Sequence, residues 1–167
     1  MKEQKKNDEK YVFLAIKYKW QELVFTGEKT IDIRKDFVGD LPKKTKMFLC
    51  DPDKSFSRAY TGEIMATLCN SVVGSVDIDK VENLEIEKIR DLKDKHCVDK
   101  HGFDSYFEGY KKGYAIHISN PVRFKKEIHI YKFGLQMPHS FQCVPKQQVI
   151  DFINEEQNDL NEINKIL

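Results

Sequence analysis

A run of aromatic, β-branched and aliphatic residues near the start of the chain, Y-V-F-L-A-I-K-Y at positions 11–18, predicts a largely buried strand. Similar runs predict strands at 46–50 and along 59–76, and the turn-rich segment between them favours a hairpin or meander. Two later strands are predicted at 114–122 and 127–131. Because these strands recur along the chain, its core is expected to be a sheet.

Segments with helical periodicity lie between and after these strands. Trp20 begins a short helical turn, which Gly27 is placed to end. Further helices are predicted at 79–97, 104–110 and 145–167. Strands interleaved with a few helices predict an α+β fold, which we expect to be a small mixed or antiparallel β-barrel with flanking helices and a C-terminal helix.

The length of 167 residues suits one domain. Residues 1–10 carry seven charged side chains, which predicts a disordered tail. We expect a folded domain over 11–144, followed by an amphipathic helix over 145–167. That helix docks on the domain or, alternatively, pairs with itself or with a partner protein. Its apolar positions are Val149, Ile153, Leu160, Ile163 and Leu167.

The charge balance excludes a uniformly basic protein, since 28 Lys and Arg residues face 27 Asp and Glu residues. Any nucleic-acid-binding face must therefore be local. Residues 111–150 concentrate a net charge of +6, and their cations alternate with aromatic residues such as Tyr110, Tyr131 and Phe133. Grooves for single-stranded nucleic acid have this composition, but ordinary strand and loop surfaces have it too.

Targeting signals and metal-binding motifs are not evident. No apolar run reaches the roughly 18–20 residues of a membrane span, and the charged start is not followed by the apolar h-region of a secretory signal, so we expect a cytoplasmic protein without membrane contact. Four cysteines without a C-x-x-C pair argue against disulfides and structural zinc. Because the spacing of His96, Cys97, Asp99 and His101 matches no zinc pattern, we expect no metal and no cofactor.

The most informative segment is G-E-K-T-I-D-I-R at residues 27–34, where a helical turn leads into a strand with alternating polar residues. Lys29 and Arg34 flank Asp32, so one carboxylate and two cations are expected at one strand end. Such a group can bind an anionic or hydrogen-bonding ligand, with Arg34 as the fork and Asp32 fixing its orientation. The alternative is a surface salt-bridge network of little energetic value.

This segment resembles the G-x-K-x-x-[E/D]-x-R motif of ASCH domains, which are named for homology to activating signal cointegrator and lie in the PUA-like superfamily. The preceding L-A-I-K-Y-K-W-Q-E-L-V-F-T resembles their first strand and helix. G-Y-A-I-H-I-S-N-P-V-R-F and M-P-H-S-F-Q-C-V resemble the late strands of bacterial and phage-type members. The resemblance covers residues 11–144 and implies a β-barrel with a cleft beside the motif that binds single-stranded RNA, a nucleotide or a modified nucleoside.

The resemblance also nominates site residues. The expected ligand-binding residues are Lys17, Trp20, Lys29, Asp32, Arg34 and Ser140. Some small ASCH proteins resemble amidohydrolases of acylated cytidine, which use a Lys-x-x-Thr pair. Here the lysine falls on Lys29, but the threonine position holds Asp32. A nucleoside amidohydrolase or a ribonuclease with Lys29 and Asp32 as working groups therefore remains an alternative, and the ligand and oligomeric state stay open.

Overall fold

The computed structural model describes residues 9–52 and 70–156. Its centre is one six-stranded mixed sheet with the strand order β2-β5-β4-β3-β1-β6. The strands are β1 (Lys10–Ala15), β2 (Ile31–Arg34), β3 (Thr45–Asp51), β4 (Ser71–Glu85), β5 (Lys112–His129) and β6 (Phe141–Pro145). β1 pairs with β3 in parallel, and the other neighbours are antiparallel.

Five α-helices and one 3₁₀ helix surround the sheet in the described part of the chain. They are α1 (Tyr18–Phe25), α2 (Ile86–Arg90), α3 (Lys93–His96), α4 (Lys100–Tyr106), the 3₁₀ helix Ile130–Phe133 and α5 (Lys146–Glu156). None of these helices is long and apolar enough to cross a membrane.

The sheet is buried on both faces, as the apolar run at 11–18 predicts. Tyr11 and Phe13 of β1 belong to one core cluster, and the alternate residues Val12 and Leu14 belong to another. Side chains of a strand alternate between the two faces, so β1 fills both cores at once. Phe13 stacks on Phe48 of β3 with ring centroids 5.0 Å apart.

Helix α1 crosses one face and is anchored at both ends. At its start the buried Gln21 donates from Nε2 to the Ile16 carbonyl at 2.7 Å. At its end the ring of Phe25 lies against Gly74 of β4, where any larger residue would collide with it. Gly27, with φ +82°, then turns the chain toward β2, confirming the predicted helical turn and its glycine stop.

Helices α2 and α4 enclose a third, smaller core against the β2–β5 end of the sheet. Ile31 and Ile33 of β2 pack there with Ile89 of α2 and with Phe103 and Phe107. This packing places α3 and α4 over the start of β2. Two backbone hydrogen bonds fix Thr30, just before β2, to its neighbours. Thr30 N–H donates to the Lys95 carbonyl of α3 at 2.9 Å, and Ile118 N–H of β5 donates to the Thr30 carbonyl at 3.0 Å.

The expected closed barrel is wrong. No pairing among residues 9–52 and 70–156 joins the edge strands β2 and β6, so the sheet is open and mixed. The predicted helix at 79–97 is also wrong at its start, because β4 continues to Glu85 and pairs Leu84 with Gly113 of β5. Pairing with β5 stabilises this segment as a strand more than the helical spacing of its apolar residues favours a helix.

Other expectations meet the structure in part. The predicted strands at 114–122 and 127–131 belong to a single strand, β5, which passes through Asn120 with φ +51°, and the chain then turns into the 3₁₀ helix at Ile130. The helix predicted at 104–110 is α4, which lies four residues earlier and ends at Tyr106. β3 and β4 pair in antiparallel, as a hairpin or meander requires, and most of the segment that joins them lies outside the described residues.

Some predictions concern residues outside the described part of the chain. These are residues 1–8 of the expected tail, 59–69 of the predicted strand, and 157–167 of the C-terminal helix. Within α5, Val149 and Ile153 are buried in the core cluster that contains Phe13. This part of the helix therefore docks on the sheet of its own chain, while the proposed division at 11–144 and 145–167 stays a prediction.

Candidate functional site

A cleft of about 360 Å³ opens where the end of β1, the start of α1, β2 and α4 converge. The end of β1 contributes Ala15, and the adjoining turn into α1 contributes Lys17. Trp20 follows one turn later on α1, while Tyr106 comes from the end of α4. The floor is made by the charged residues of the 27–34 segment: Lys29, Asp32 and Arg34.

Lys29 lies at the bottom of the cleft and is only 3 % exposed. Its Nζ donates to the His96 carbonyl at 2.8 Å and lies 3.6 Å from Asp32 Oδ1. Burial lowers the pKa of the Lys29 ammonium below its ordinary value, and the Asp32 carboxylate offsets this only in part. A cleft lysine with a lowered pKa gives up its proton more readily than a surface lysine does.

Asp32 is 5 % exposed, so it is buried rather than on a solvent-facing strand surface. Burial works to raise its pKa, but the charges and hydrogen bonds of Arg34 and Lys29 outweigh it, and the pKa of Asp32 lies below its ordinary value. Asp32 is therefore an anion held between two cations. The surface salt-bridge reading is wrong for this cluster, because α3 and α4 cover it.

The Arg34 guanidinium donates hydrogen bonds to three different residues around the cleft floor. Its Nε donates to Asp32 Oδ2 at 2.7 Å, Nη1 to Ser140 Oγ at 3.3 Å, and Nη2 to the Ala15 carbonyl at 3.0 Å. Ser140 precedes β6, so this guanidinium ties β2 to β1 and to the chain entering β6. Three of its five N–H donors are thus engaged within the protein, so Arg34 positions the cleft floor.

Two aromatic rings and two polar side chains frame the opening. The ammonium of Lys19 lies 4.6 Å from the ring centroid of Trp20, and the ammonium of Lys29 lies 5.3 Å from it. Tyr106, 36 % exposed, lies on the α4 side. Lys17 and His139 are exposed at the rim. An aromatic wall, cations and a buried floor together suit a flat, polar and anionic ligand.

The structure brings together most of the residues nominated from the sequence. Lys17, Trp20, Lys29, Asp32 and Arg34 all line the cleft, and Ser140 stands behind Arg34.

Among the lining residues with polar side chains, the sequence analysis did not identify Tyr106 and His139. Nothing local marks Tyr106, which reaches the cleft only because α4 packs on β2. His139 precedes Ser140 in the M-P-H-S block that carries the resemblance, and this adjacency was the available signal.

Residues 96–101, which contain His96, Cys97, Asp99 and His101, pack behind the cleft, where the His96 carbonyl accepts from Lys29. His96 is 1 % exposed, its Nδ1 accepts from the Val98 N–H at 3.0 Å, and its ring stacks on Phe103. Cys97, with φ +65°, donates from Sγ to the Glu28 carbonyl at 3.4 Å. Across the part of the chain that the structure describes, no group of three or more His, Cys, Asp or Glu side chains is arranged to hold a metal.

The basic and aromatic pattern of residues 111–150 is largely a core pattern. Phe133 is 1 % exposed, and Phe124 and Tyr114 pack against core clusters. Of the aromatic residues in that pattern, Tyr110 and Tyr131 are exposed. This composition therefore does not produce a nucleic-acid face along the whole strand.

Comparison with known proteins identifies the fold. No family model matches the chain, and no curated protein sequence matches it significantly. Among solved structures, ASCH from Zymomonas mobilis superposes with a TM-score of 0.67 at 15 % identity, covering 88 % of this chain and 96 % of that one. Its Ser-to-Ala variant gives 0.66 at 14 % identity, covering 89 % and 97 %. The chain therefore has the ASCH domain fold.

Proposed function

We propose that this protein binds RNA or a nucleotide in the cleft beside residues 27–34. The observation that carries the proposal is the combination of a buried Lys29–Asp32–Arg34 floor with aromatic side chains at the opening. A purely structural ion cluster has no need of an open cleft above it. The ASCH fold supports the same reading, since the resemblance implies RNA or nucleotide binding.

Each part of the cleft suits a different part of a nucleotide. The face of Trp20, or that of Tyr106, offers a stacking surface for a base. Lys29 Nζ donates to the His96 carbonyl and lies 3.6 Å from Asp32 Oδ1, so its remaining N–H groups suit an acceptor on the base or sugar. Lys17 and His139 at the rim are placed for a phosphate, whose charge stays near solvent.

The protein carries its own reporter for this proposal. Trp20 is the only tryptophan in the chain, and it lines the cleft. A ligand that stacks on its ring or displaces the Lys29 ammonium changes its emission. Titration with a single-stranded oligoribonucleotide and with nucleoside monophosphates, followed by tryptophan fluorescence, is expected to give a saturable change.

Two lysine variants distinguish ligand binding in the cleft from nonspecific binding to the charged surface. Lys17→Ala removes a rim cation and is expected to weaken binding several-fold and to reduce its salt dependence. Lys126→Ala removes an exposed lysine of β5 that does not line the cleft, and it is expected to bind like the unmodified protein. Equal losses in both variants would contradict the cleft assignment.

The buried lysine also favours a second candidate, hydrolysis of a modified nucleoside or of RNA. Lys29 combines a lowered pKa with a neighbouring carboxylate, the arrangement that a general base requires. In that role Lys29 takes a proton from an attacking water, while Asp32, bonded to Arg34, orients the ammonium that forms.

A turnover assay tests the second candidate. Acylated nucleosides and short RNAs are incubated with excess protein, and products are separated by chromatography. Lys29→Met is expected to abolish any turnover that Lys126→Met leaves intact. No product over the whole panel would leave binding as the function of the cleft.

A further inference from the structure

Tyr106 and Tyr110 form an exposed pair beside the cleft. They are 36 % and 47 % exposed, respectively, and so belong to the few large apolar side chains that the described structure leaves open to solvent. The ammonium of Lys35 lies 4.9 Å from the centroid of Tyr106 and 5.0 Å from that of Tyr110. We call these three residues the tyrosine patch.

The backbone holds the tyrosine patch in place. α4 ends at Tyr106, and Tyr110 N–H donates to the Phe107 carbonyl at 2.9 Å in a turn that Gly109 closes with φ +80°. Lys35 directly follows β2, and its N–H points to the Tyr106 hydroxyl at 3.4 Å. The ring of Phe107, 4.8 Å from that of Tyr106, lies buried beneath them. The patch is thus a supported surface rather than a loose loop.

The patch begins inside the cleft and leads out of it. Tyr106 lines the cleft, whereas Tyr110 lines a separate cavity of about 600 Å³ on the other side of α4. A single nucleotide bound in the cleft can contact Tyr106, but Tyr110 does not line that cleft. A second exposed ring within 5.0 Å of the same Lys35 ammonium suits a ligand with more than one base.

We propose that the tyrosine patch binds the nucleotides that follow the one in the cleft, which makes single-stranded RNA rather than a free nucleotide the ligand. This inference rests on the proposed function of the cleft. Unpaired bases stack on the two tyrosine rings, and Lys35 supplies the charge for the intervening phosphate. A duplex keeps its bases inside and cannot stack on either ring.

The far cavity beyond Tyr110 has a lining of mixed charge. Its carboxylates Glu85, Glu87 and Asp104 are matched by the cations Arg90, Lys111 and Lys112, and Arg90 is paired with Glu87 and Asp104. Lys111 and Lys112 are exposed next to Tyr110 and add positive charge at this end of the patch.

The test compares an oligoadenylate of about eight nucleotides, a usual site size for one domain, with adenosine monophosphate. Affinities are measured by Trp20 fluorescence for the unmodified protein and for Tyr110→Ala, Tyr110→Phe and Tyr131→Ala. Tyr131 is 59 % exposed and lines neither cavity, so it is the matched control. Thermal unfolding checks that each variant is folded.

The oligonucleotide is expected to bind more tightly than the monophosphate, and Tyr110→Ala to weaken the oligonucleotide about tenfold while leaving the monophosphate unchanged. Tyr110→Phe, which keeps the ring, and Tyr131→Ala are expected to bind normally. If the oligonucleotide binds but Tyr110→Ala matches Tyr131→Ala, the patch proposal is overturned and the cleft stands. If neither ligand binds the unmodified protein, both proposals are overturned.

Discussion

Arg34 donates from Nε to Oδ2 of Asp32 at 2.7 Å, and the two side chains are 14 % and 7 % exposed. A buried carboxylate is costly unless a cation and hydrogen bonds compensate it. Lys29, on the other side, is too far from Asp32 Oδ1, at 3.6 Å, to replace that bond. The integrity of the cleft floor therefore depends chiefly on Arg34.

Arg34→Ala is expected to destabilise the protein by about 3 kcal/mol, because it leaves Asp32 buried beside a single, distant cation and also frees the Ala15 carbonyl. The free energy of unfolding from urea titrations measures this loss. Lys100→Ala, which removes a lysine whose side chain is 83 % exposed from its pair with Asp104, is the matched control and is expected to change stability little.

A double variant distinguishes lost charge from lost packing. Adding Asp32→Asn to Arg34→Ala removes the stranded anion, so the pair of changes is expected to cost less than the sum of the single ones. Strict additivity would show that Arg34 acts through packing alone.

His96→Asn is expected to flatten the dependence of stability on pH. Burial, and then the nearby charge of Lys29, lower the pKa of His96 to about 4 from the ordinary 6.5. Between these values the unfolded chain binds more protons than the folded one, so the stability of the unmodified protein rises as pH increases from 4 to 6.5. Asparagine retains an acceptor for the Val98 N–H but does not titrate. Urea unfolding from pH 4 to 8 measures both slopes.

The exposed neighbour His101 supplies the comparison for that experiment. His101→Asn is expected to keep the pH slope of the unmodified protein, because this side chain lies outside the packed region. If His96→Asn keeps the slope as well, the groups that couple folding to pH lie elsewhere.

The parts of the fold that were predicted from sequence are those in which local pattern and tertiary context agree. The run at 11–18 has to be buried wherever it lies, and Gly27 is needed for a left-handed stop after α1. The second half of β4 was missed because its residues look helical in isolation. They become strand through their pairing with β5, which is distant in sequence.

For the candidate site, too, the features set by local sequence were predictable and those set by tertiary contacts were not. The 27–34 segment brings Lys29, Asp32 and Arg34 together within one turn and one strand, so local spacing was sufficient to group them. Their burial was not predictable, because α3 and α4 provide the cover and come from much later in the chain. Tyr106 was not predicted for that reason, and neither were the bonds of Arg34 to Ser140 and Ala15, since those partners are distant in sequence.

Gly74→Ala is expected to destabilise the fold by about 2 kcal/mol, since overpacking costs on this order. A Cβ at this position would collide with the Val122 carbonyl oxygen and lie 2.5 Å from Cζ of Phe25. Because Phe25 ends the helix that carries Trp20, the change is also expected to shift tryptophan emission. Gly39→Ala, whose Cβ meets nothing within 4 Å, should leave both the urea midpoint and the emission unchanged.

Lys29→Met is expected to separate stability from binding. Burying an ammonium is expensive, and Asp32 keeps its bond to Arg34 when Lys29 is absent, so we expect the free energy of unfolding to change by only about 1 kcal/mol. The one group left without its donor is the His96 carbonyl. Ligand affinity, in contrast, is expected to fall at least tenfold, since the ammonium at the bottom of the cleft has gone.

Urea unfolding and Trp20 fluorescence titration of the same preparations give both quantities, with Lys126→Met as the control for loss of a lysine outside the cleft. A large loss of stability with unchanged ligand affinity would mean that Lys29 is a structural ion within the fold. Retained stability with lost affinity would mean that the chain maintains a buried charge for its ligand. The second outcome is the one that the geometry favours, because Arg34 already neutralises Asp32 and the fold does not need a second cation there.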